Sequence, residues 1–284
     1  MTPGAMPKDD TVIRFEDVCL YYGETHALDH VSFSMRPGET CVVLGAAGSG
    51  KTMLLKCTVG LVKPDSGRVI LFGQDVTNWT ENQMFDIRAK VGILFQEGGL
   101  FDSLTIAENV AYPLENQHAL SKEGKLSEEV ILERVRESLR FVELEHTLEK
   151  FPSELSGGMR RRVGIARAVV TEPPLVLYDS PTAGLDPITA NTIINLIIKE
   201  RDLRDTAAIM VTHRFLDGHL MANFRYNPNN GNVEPVVHGR AEDSAVTTRF
   251  LVMKEGRLVF EGSERELLAN PDPYVQKFCK AGTS

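Results

Sequence analysis

Residues 45–52 read GAAGSGKT, directly behind the apolar run TCVVL at 40–44 and directly ahead of a helical pattern over roughly 50–60. This is the G-x-x-x-x-G-K-[ST] spacing, and its two context conditions, a strand before and a helix after, are both met. The glycines let successive backbone N–H groups curl into an anion cradle, and the helix that follows offers its positive end. Residues Gly45, Ala46, Ala47, Gly48, Ser49, Gly50, Lys51 and Thr52 are therefore expected to hold phosphates. Lys51 would reach the terminal phosphates of a nucleotide, and the Thr52 hydroxyl would sit on Mg²⁺. The competing reading is a glycine-rich turn with a solvated lysine. On average residue usage an accidental match is about one in a hundred, before the flanking elements are demanded. The second half of such a site needs a carboxylate for the metal at the end of an apolar strand. Asp179, closing LVLYD at 175–179, supplies it.

Outward from this loop, residues 11–44 alternate in short apolar and polar runs broken by Gly23 and Pro37-Gly38, a pattern of strands and turns. Further strands are expected at 67–76 and 90–96. From about 97 to 155 the composition shifts to Glu-, Lys- and Arg-rich helices, where Leu132, Val135, Leu139 and Val142 recur on a helical spacing. The chain then returns to alternation: a helix from Ser156, the strand at 175–180, a helix capped by Asp186 with Pro187 in its first turn, and the strand AAIMVTH at 207–213. Buried strands alternating with helices mean a mostly parallel sheet covered on both faces, with an antiparallel β subdomain before it and a helical insertion within it. Residues 225–248 read as a long polar loop, followed by a hairpin over RFLVMKEGRLVFEG. The expected domains are a flexible 1–10, a nucleotide-binding domain over 11–265, and a C-terminal helix and tail over 266–284.

Composition narrows the class. With 39 Asp and Glu against 31 Lys and Arg the formal charge is −8, and nucleic acid is not an expected partner. No segment approaches the ~18 consecutive apolar residues of a membrane span. The stretch MTPGAMPKDD lacks the charged start and apolar core of a secretory signal, so the cytosol is the expected compartment. Cys19, Cys41, Cys57 and Cys279 show neither metal spacing nor a paired framework and read as small buried hydrophobes.

Between the two motifs lies LSGGM at 155–159, followed by Arg160, Arg161 and Arg162. With Gln96, PTAGLDP at 181–187 and His213, the chain resembles the nucleotide-binding subunit of ABC transporters from about residue 11 to 265. The resemblance implies the RecA-like P-loop NTPase fold, ATP and Mg²⁺ as ligands, and a second copy of the chain as partner. In that arrangement Ser156, Gly157 and Gly158 cap the γ-phosphate of ATP held by the other copy. Ser156 also opens a helix whose first amides favour an anion. The resemblance further assigns Tyr22 to adenine stacking, Gln96 to Mg²⁺ and the attacking water, His213 to the γ-phosphate, and Asp186 to the dimer interface. The arginine run reads as a solvated helix face. Closer still, FQEGGLFDSLTIAENVAYPL, FPSELSGGMRRRVGIARAVV, LDPITA and NPDPYVQKF are similar to the ATPase of the Mla/Mce phospholipid transport systems. That likeness implies a peripheral location on the inner face of a bacterial plasma membrane, a permease received by about 97–115, and a lipid-binding Mce-type protein in the complex.

The chain departs from the family at the residue after Asp179, where a glutamate normally polarises the attacking water. Here it is Ser180, which cannot accept a proton near neutral pH, and loss of a general base typically costs about 10²–10⁴ in rate. Three explanations stand: slow hydrolysis relying on His213 and Gln96, a substitute carboxylate with Glu97 nearest by position, or a site that traps ATP. His213 is also followed by Arg214 where an acidic residue is common. The functional alternatives are a motor for lipid, a motor for another substrate such as an amino acid or metal chelate, and an ATP-dependent dimerising clamp that scarcely hydrolyses.

Overall fold

The structure, a computed structural model, describes residues 11–118, 126–236 and 247–280; the side chains of residues 97, 117 and 118 are outside that description. The chain opens with β1 (Ile13–Tyr22) and β2 (Thr25–Met35), then β3 (Thr40–Gly45), α1 (Lys51–Thr58), β4 (Ser66–Leu71), β5 (Gln74–Asp75), α2 (Glu81–Arg88) and β6 (Val91–Leu94). The helical insertion carries α3 (Ile106–His118) and α4 (Glu128–Phe141). After it come α5 (Gly157–Val169), β7 (Leu175–Asp179), α6 (Pro187–Arg204), β8 (Ala207–Thr212) and α7 (Phe215–Asn223). The chain closes with β9 (Phe224–Asn227), β10 (Asn232–Pro235), β11 (Thr248–Lys254), β12 (Arg257–Gly262), α8 (Glu264–Ala269) and α9 (Pro273–Lys280).

The central sheet has six strands in the order β12-β11-β3-β8-β7-β6. All its pairings are parallel except that of β11 with β12. Every residue of β3, β7 and β8 is buried, which is what unbroken apolar runs covered on both faces require. One face packs under α1 and α2 and meets the antiparallel sheet β2-β1-β4-β5, with Phe15, Leu54, Leu71 and Leu177 in a shared core. The other face packs under α5 and α6, and the insertion adds Ile106, Val110, Val135 and Leu139 to that second core. The fold is thus the α/β P-loop arrangement expected, with a parallel core, an antiparallel sheet and helical elements.

Several local expectations need correction. Of the four apolar residues on that helical spacing, Val135 and Leu139 on α4 and Val142 just past its end are buried, but Leu132 is 43% exposed. Helix α2, set by a Thr80–Gln83 capping box, falls where no element was expected. The segment 225–248 is not all loop: β9 and β10 form a hairpin, while 237–246 lie outside the described residues. The expected hairpin at 249–262 exists, but β11 also joins β3 in parallel and so becomes part of the central sheet. The four cysteines are buried free thiols, as read. Among the described residues no helix is long and apolar enough to cross a membrane.

Candidate phosphate site

Because the strands run parallel, the C-terminal ends of β3, β7 and β8 lie at one edge of the sheet, and the sequence-predicted residues leave from those ends. Gly45 ends β3, Asp179 ends β7, and His213 follows Thr212 at the end of β8. This edge is where ligands bind in open α/β sheets. The glycine loop then curls into α1. Gly50 adopts φ +103° at the helix entrance, and a Cβ there would stand 2.3 Å from the Ala27 carbonyl oxygen of β2, so only glycine fits.

Lys51 is 8% exposed and folds back over its own loop, donating from Nζ to the carbonyls of Gly45 and Ala46, each at 2.8 Å, and to Ser49 Oγ at 3.4 Å. Burial pushes the pKa of this ammonium down, and the nearby charge of Asp179 pulls it back up. Thr52 and Asp179 line one small cavity together. The loop, its lysine, the threonine and the strand-end carboxylate therefore converge. A buried cation beside a glycine loop exposed at Ala47 and Gly48, and a carboxylate–hydroxyl pair for a hard divalent ion, suit a magnesium-bound polyphosphate.

Tyr22 is 52% exposed and its hydroxyl lies 3.9 Å from Met53 Sδ on α1, which sets it beside the same loop. Gln96 is exposed, but β6 ends two residues earlier; Gln96 opens a short 3₁₀ turn over Gln96–Gly98. His213 is exposed on the strand-end turn. Ser156 caps α5, its Oγ accepting from the Met159 amide at 3.2 Å. Ser156 and Gly157 are exposed, and Gly157 lines a separate polar pocket with Gln96, Arg161 and Gly184. Ser180 sits at φ +49°, and its hydroxyl donates to Asp179 Oδ1 at 3.2 Å. The Glu97 side chain, the substitute carboxylate suggested by position, lies outside the described residues.

The expected solvated arginine face is wrong for α5. Arg161 is 4% exposed and aims into the segment after Asp179, donating from Nη1 to the Ser180 and Pro181 carbonyls at 2.8 and 3.0 Å and from Nη2 to the Ala183 carbonyl at 3.2 Å. Arg160 and Arg162 also spend donors on backbone carbonyls, of Leu155 and Val142. A charge run in a sequence looks like surface, and only the fold shows that a turn full of unpaired carbonyls faces it. Arg161→Met is expected to cost about 3 kcal/mol in urea unfolding, since it strips a charged donor from buried carbonyls. A loss below about 0.5 kcal/mol would place it with ordinary surface changes.

Asp217 was not singled out by the sequence either. It is buried on α7, and its Oδ2 accepts from Thr182 Oγ1 at 2.6 Å and Thr212 Oγ1 at 2.8 Å, while Arg214 Nε stands 3.7 Å from Oδ1. Burial raises its carboxyl pKa, and the two hydroxyls, Arg214 and His213 oppose that shift. The carboxylate ties the turn after Asp179 to the strand end that carries His213.

The ABC transporter family profile matches residues 28–183. The chain is 34% identical over 277 residues to the protein TRIGALACTOSYLDIACYLGLYCEROL 3, chloroplastic, of Arabidopsis thaliana, covering 95% of this chain and 74% of that one. It is 35% identical over 210 residues to the probable ribonucleotide transport ATP-binding protein mkl of Mycobacterium leprae, covering 74% of this chain. To the methionine import ATP-binding protein MetN of Rhizobium johnstonii it is 33% identical over 266 residues, covering 94% of this chain. It spans 58% of the length of mkl and 65% of that of MetN. Among solved structures it is similar to the dimeric post-hydrolysis state of the ATP-binding cassette MJ0796 bound to ADP and Pi. That match has a TM-score of 0.73 at 28% identity and covers 88% of this chain and 98% of the other.

Proposed function

Because the chain belongs to the ABC transporter family and is therefore an ATP-binding, ATP-hydrolysing cassette, we propose that it is the motor subunit of a phospholipid transporter of the Mla/Mce type. The observation that carries the motor reading is the convergence of Lys51, Thr52 and Asp179 on the loop 45–52 at one sheet edge. The lipid reading is supported by the Mla/Mce-like segments and by a relative named for a galactolipid.

In this reading the loop 45–52, through amides other than the one Ala46 gives to Tyr274, and the Lys51 ammonium bind the ATP phosphates, and Tyr22 stacks on adenine. Thr52, Asp179 and Gln96 would hold Mg²⁺, which when bound neutralises charge on the transferring phosphate. His213 orients toward the γ-phosphate from the end of β8. A second copy closes the site with Ser156, Gly157 and Gly158. The two glycines differ here. A Cβ on Gly158 would strike Thr189 Cγ2 at 2.5 Å, whereas one on Gly157 would meet nothing nearer than 4.0 Å. Packing therefore explains Gly158, while the backbone at Gly157 is left approachable. Ile188, 81% exposed at the start of α6, adds an apolar residue close to that face.

The permease would dock in the groove beside α3. Phe95, Phe101 and Tyr112 line it and are each about two-fifths exposed, with the Phe101 and Tyr112 rings 4.7 Å apart. These residues fall within or beside the expected segment 97–115. Affinity purification from membranes is expected to recover an integral permease and a lipid-binding Mce-type protein. Phe101→Glu should lower that recovery about tenfold while Mg-ATP binding stays at the parent level. Recovery of an amino-acid or metal-chelate permease instead would reassign the substrate. A soluble dimer without a membrane partner would favour the clamp, a second reading supported by the Ser180 hydroxyl, which hydrogen-bonds Asp179 where a base is usual.

A further inference from the structure

The parallel ladder between β3 and β11 runs from Thr40 opposite Thr248 to Gly45 opposite Met253, where the chain leaves the sheet to become the phosphate loop. At that point a side chain from the far end of the sequence enters. The Tyr274 hydroxyl accepts from the Ala46 amide at 3.2 Å and donates to the Met253 carbonyl at 2.9 Å. One hydroxyl thus stands in for the next rung of the ladder, spending its proton on one strand and a lone pair on the other.

The ring that carries this hydroxyl is fixed. Tyr274 lies in the first turn of α9, edge-on to Phe278 at 5.3 Å, with Lys254 Nζ 5.2 Å from its ring centre. Val275, Phe278 and Cys279 bury α9 against the body of the protein. Just beyond the same strand end, the Gly256 amide of the β11–β12 turn donates to the Ser49 carbonyl at 3.2 Å. The loop is therefore gripped from behind at Ala46 and Ser49, by backbone groups on its outer wall, while Lys51 holds it from within.

We propose that Tyr274 is a positioning residue for the phosphate loop: its hydroxyl holds the first turn of the loop in its binding shape before nucleotide arrives, which makes α9 a working part of the ATP site. The inference rests on the ATP-site reading above. An amide cradle must be ordered to bind an anion, and any ordering left to the moment of binding is subtracted from affinity. A neutral hydrogen bond is worth about 1 kcal/mol, so its loss corresponds to about fivefold in binding.

The test compares the full-length protein with Tyr274→Phe, which removes one oxygen and keeps the ring, and with Lys254→Met, which removes the charge over the ring and keeps the hydroxyl. Calorimetric titration with Mg-ATP is expected to show about fivefold weaker binding for Tyr274→Phe and parental binding for Lys254→Met. In nucleotide-free protein, amide hydrogen exchange over 45–49 should quicken in Tyr274→Phe, with α9 still protected. Tyr274→Phe that melts earlier but keeps parental loop exchange and affinity would reduce Tyr274 to a packing residue and overturn the proposal. So would Lys254→Met weakening ATP as much as Tyr274→Phe does. Should the parent itself take up no Mg-ATP, the ATP-site reading falls, while the exchange comparison, made without nucleotide, still decides whether the hydroxyl braces the loop.

Discussion

Ser180→Glu is expected to raise steady-state ATP turnover by about two orders of magnitude at unchanged nucleotide affinity, the usual scale for restoring a general base. Position 180 is well prepared for the change. Its amide donates to the Val211 carbonyl at 2.9 Å and its carbonyl accepts from Arg161, so the backbone is held on both sides. The left-handed φ of +49° costs a glutamate about what it costs a serine, on the order of 1–2 kcal/mol, so the substitution adds little new strain. What it removes is the hydroxyl that donates to Asp179, and what it adds is a group that can accept a proton from water. Phosphate release measured on both proteins decides the matter. Turnover equal to or below the parent's would mean that the site has been rebuilt around serine, with the proton taken elsewhere.

Lys51→Ala should lower turnover by about 10²–10³ and weaken Mg-ATP binding in the same direction, because it deletes the one cation folded into the loop's own wall. The change also leaves the Gly45 and Ala46 carbonyls without their ammonium donor, so a modest loss of stability accompanies it. The two effects separate by measurement: a melting curve reports the second, and nucleotide titration of the folded fraction reports the first. A folded Lys51→Ala variant with parental ATP affinity and turnover would remove the central support for the motor reading. Paired with Ser180→Glu, it also tests whether the added carboxylate acts on ATP held at this loop, since the double variant should fall to the lysine variant's level.

Much of the site could be read from the chain because its parts are local. The loop 45–52, the strand ending in Asp179, the cap at Asp186 and the cap at Ser156 each declare themselves within a dozen residues, and each lies where it was expected. The parts that escaped depend on contacts between distant segments. Arg161 read as surface because nothing near it in sequence signals the carbonyls of 180–183. Tyr274 read as one residue of a C-terminal helix, although its hydroxyl ends on the second residue of the loop. The strand β11 was legible as half of a hairpin, but its seat beside β3 is a matter of tertiary pairing that alternation cannot encode. Helix α2 escaped for a different reason: it is short, weakly amphipathic and half exposed, so its capping box is its main signal.

The placement of β3 also has a consequence for how the molecule is made. Its two neighbours, β8 and β11, are both synthesised long after it, so the central strand leaves the ribosome with neither edge covered. Until those later strands arrive, TCVVLG is an apolar ribbon with open hydrogen-bonding edges, the kind of segment that pairs with the wrong chain. The central sheet therefore closes only through pairings between segments far apart in sequence, the kind of contact that forms slowly.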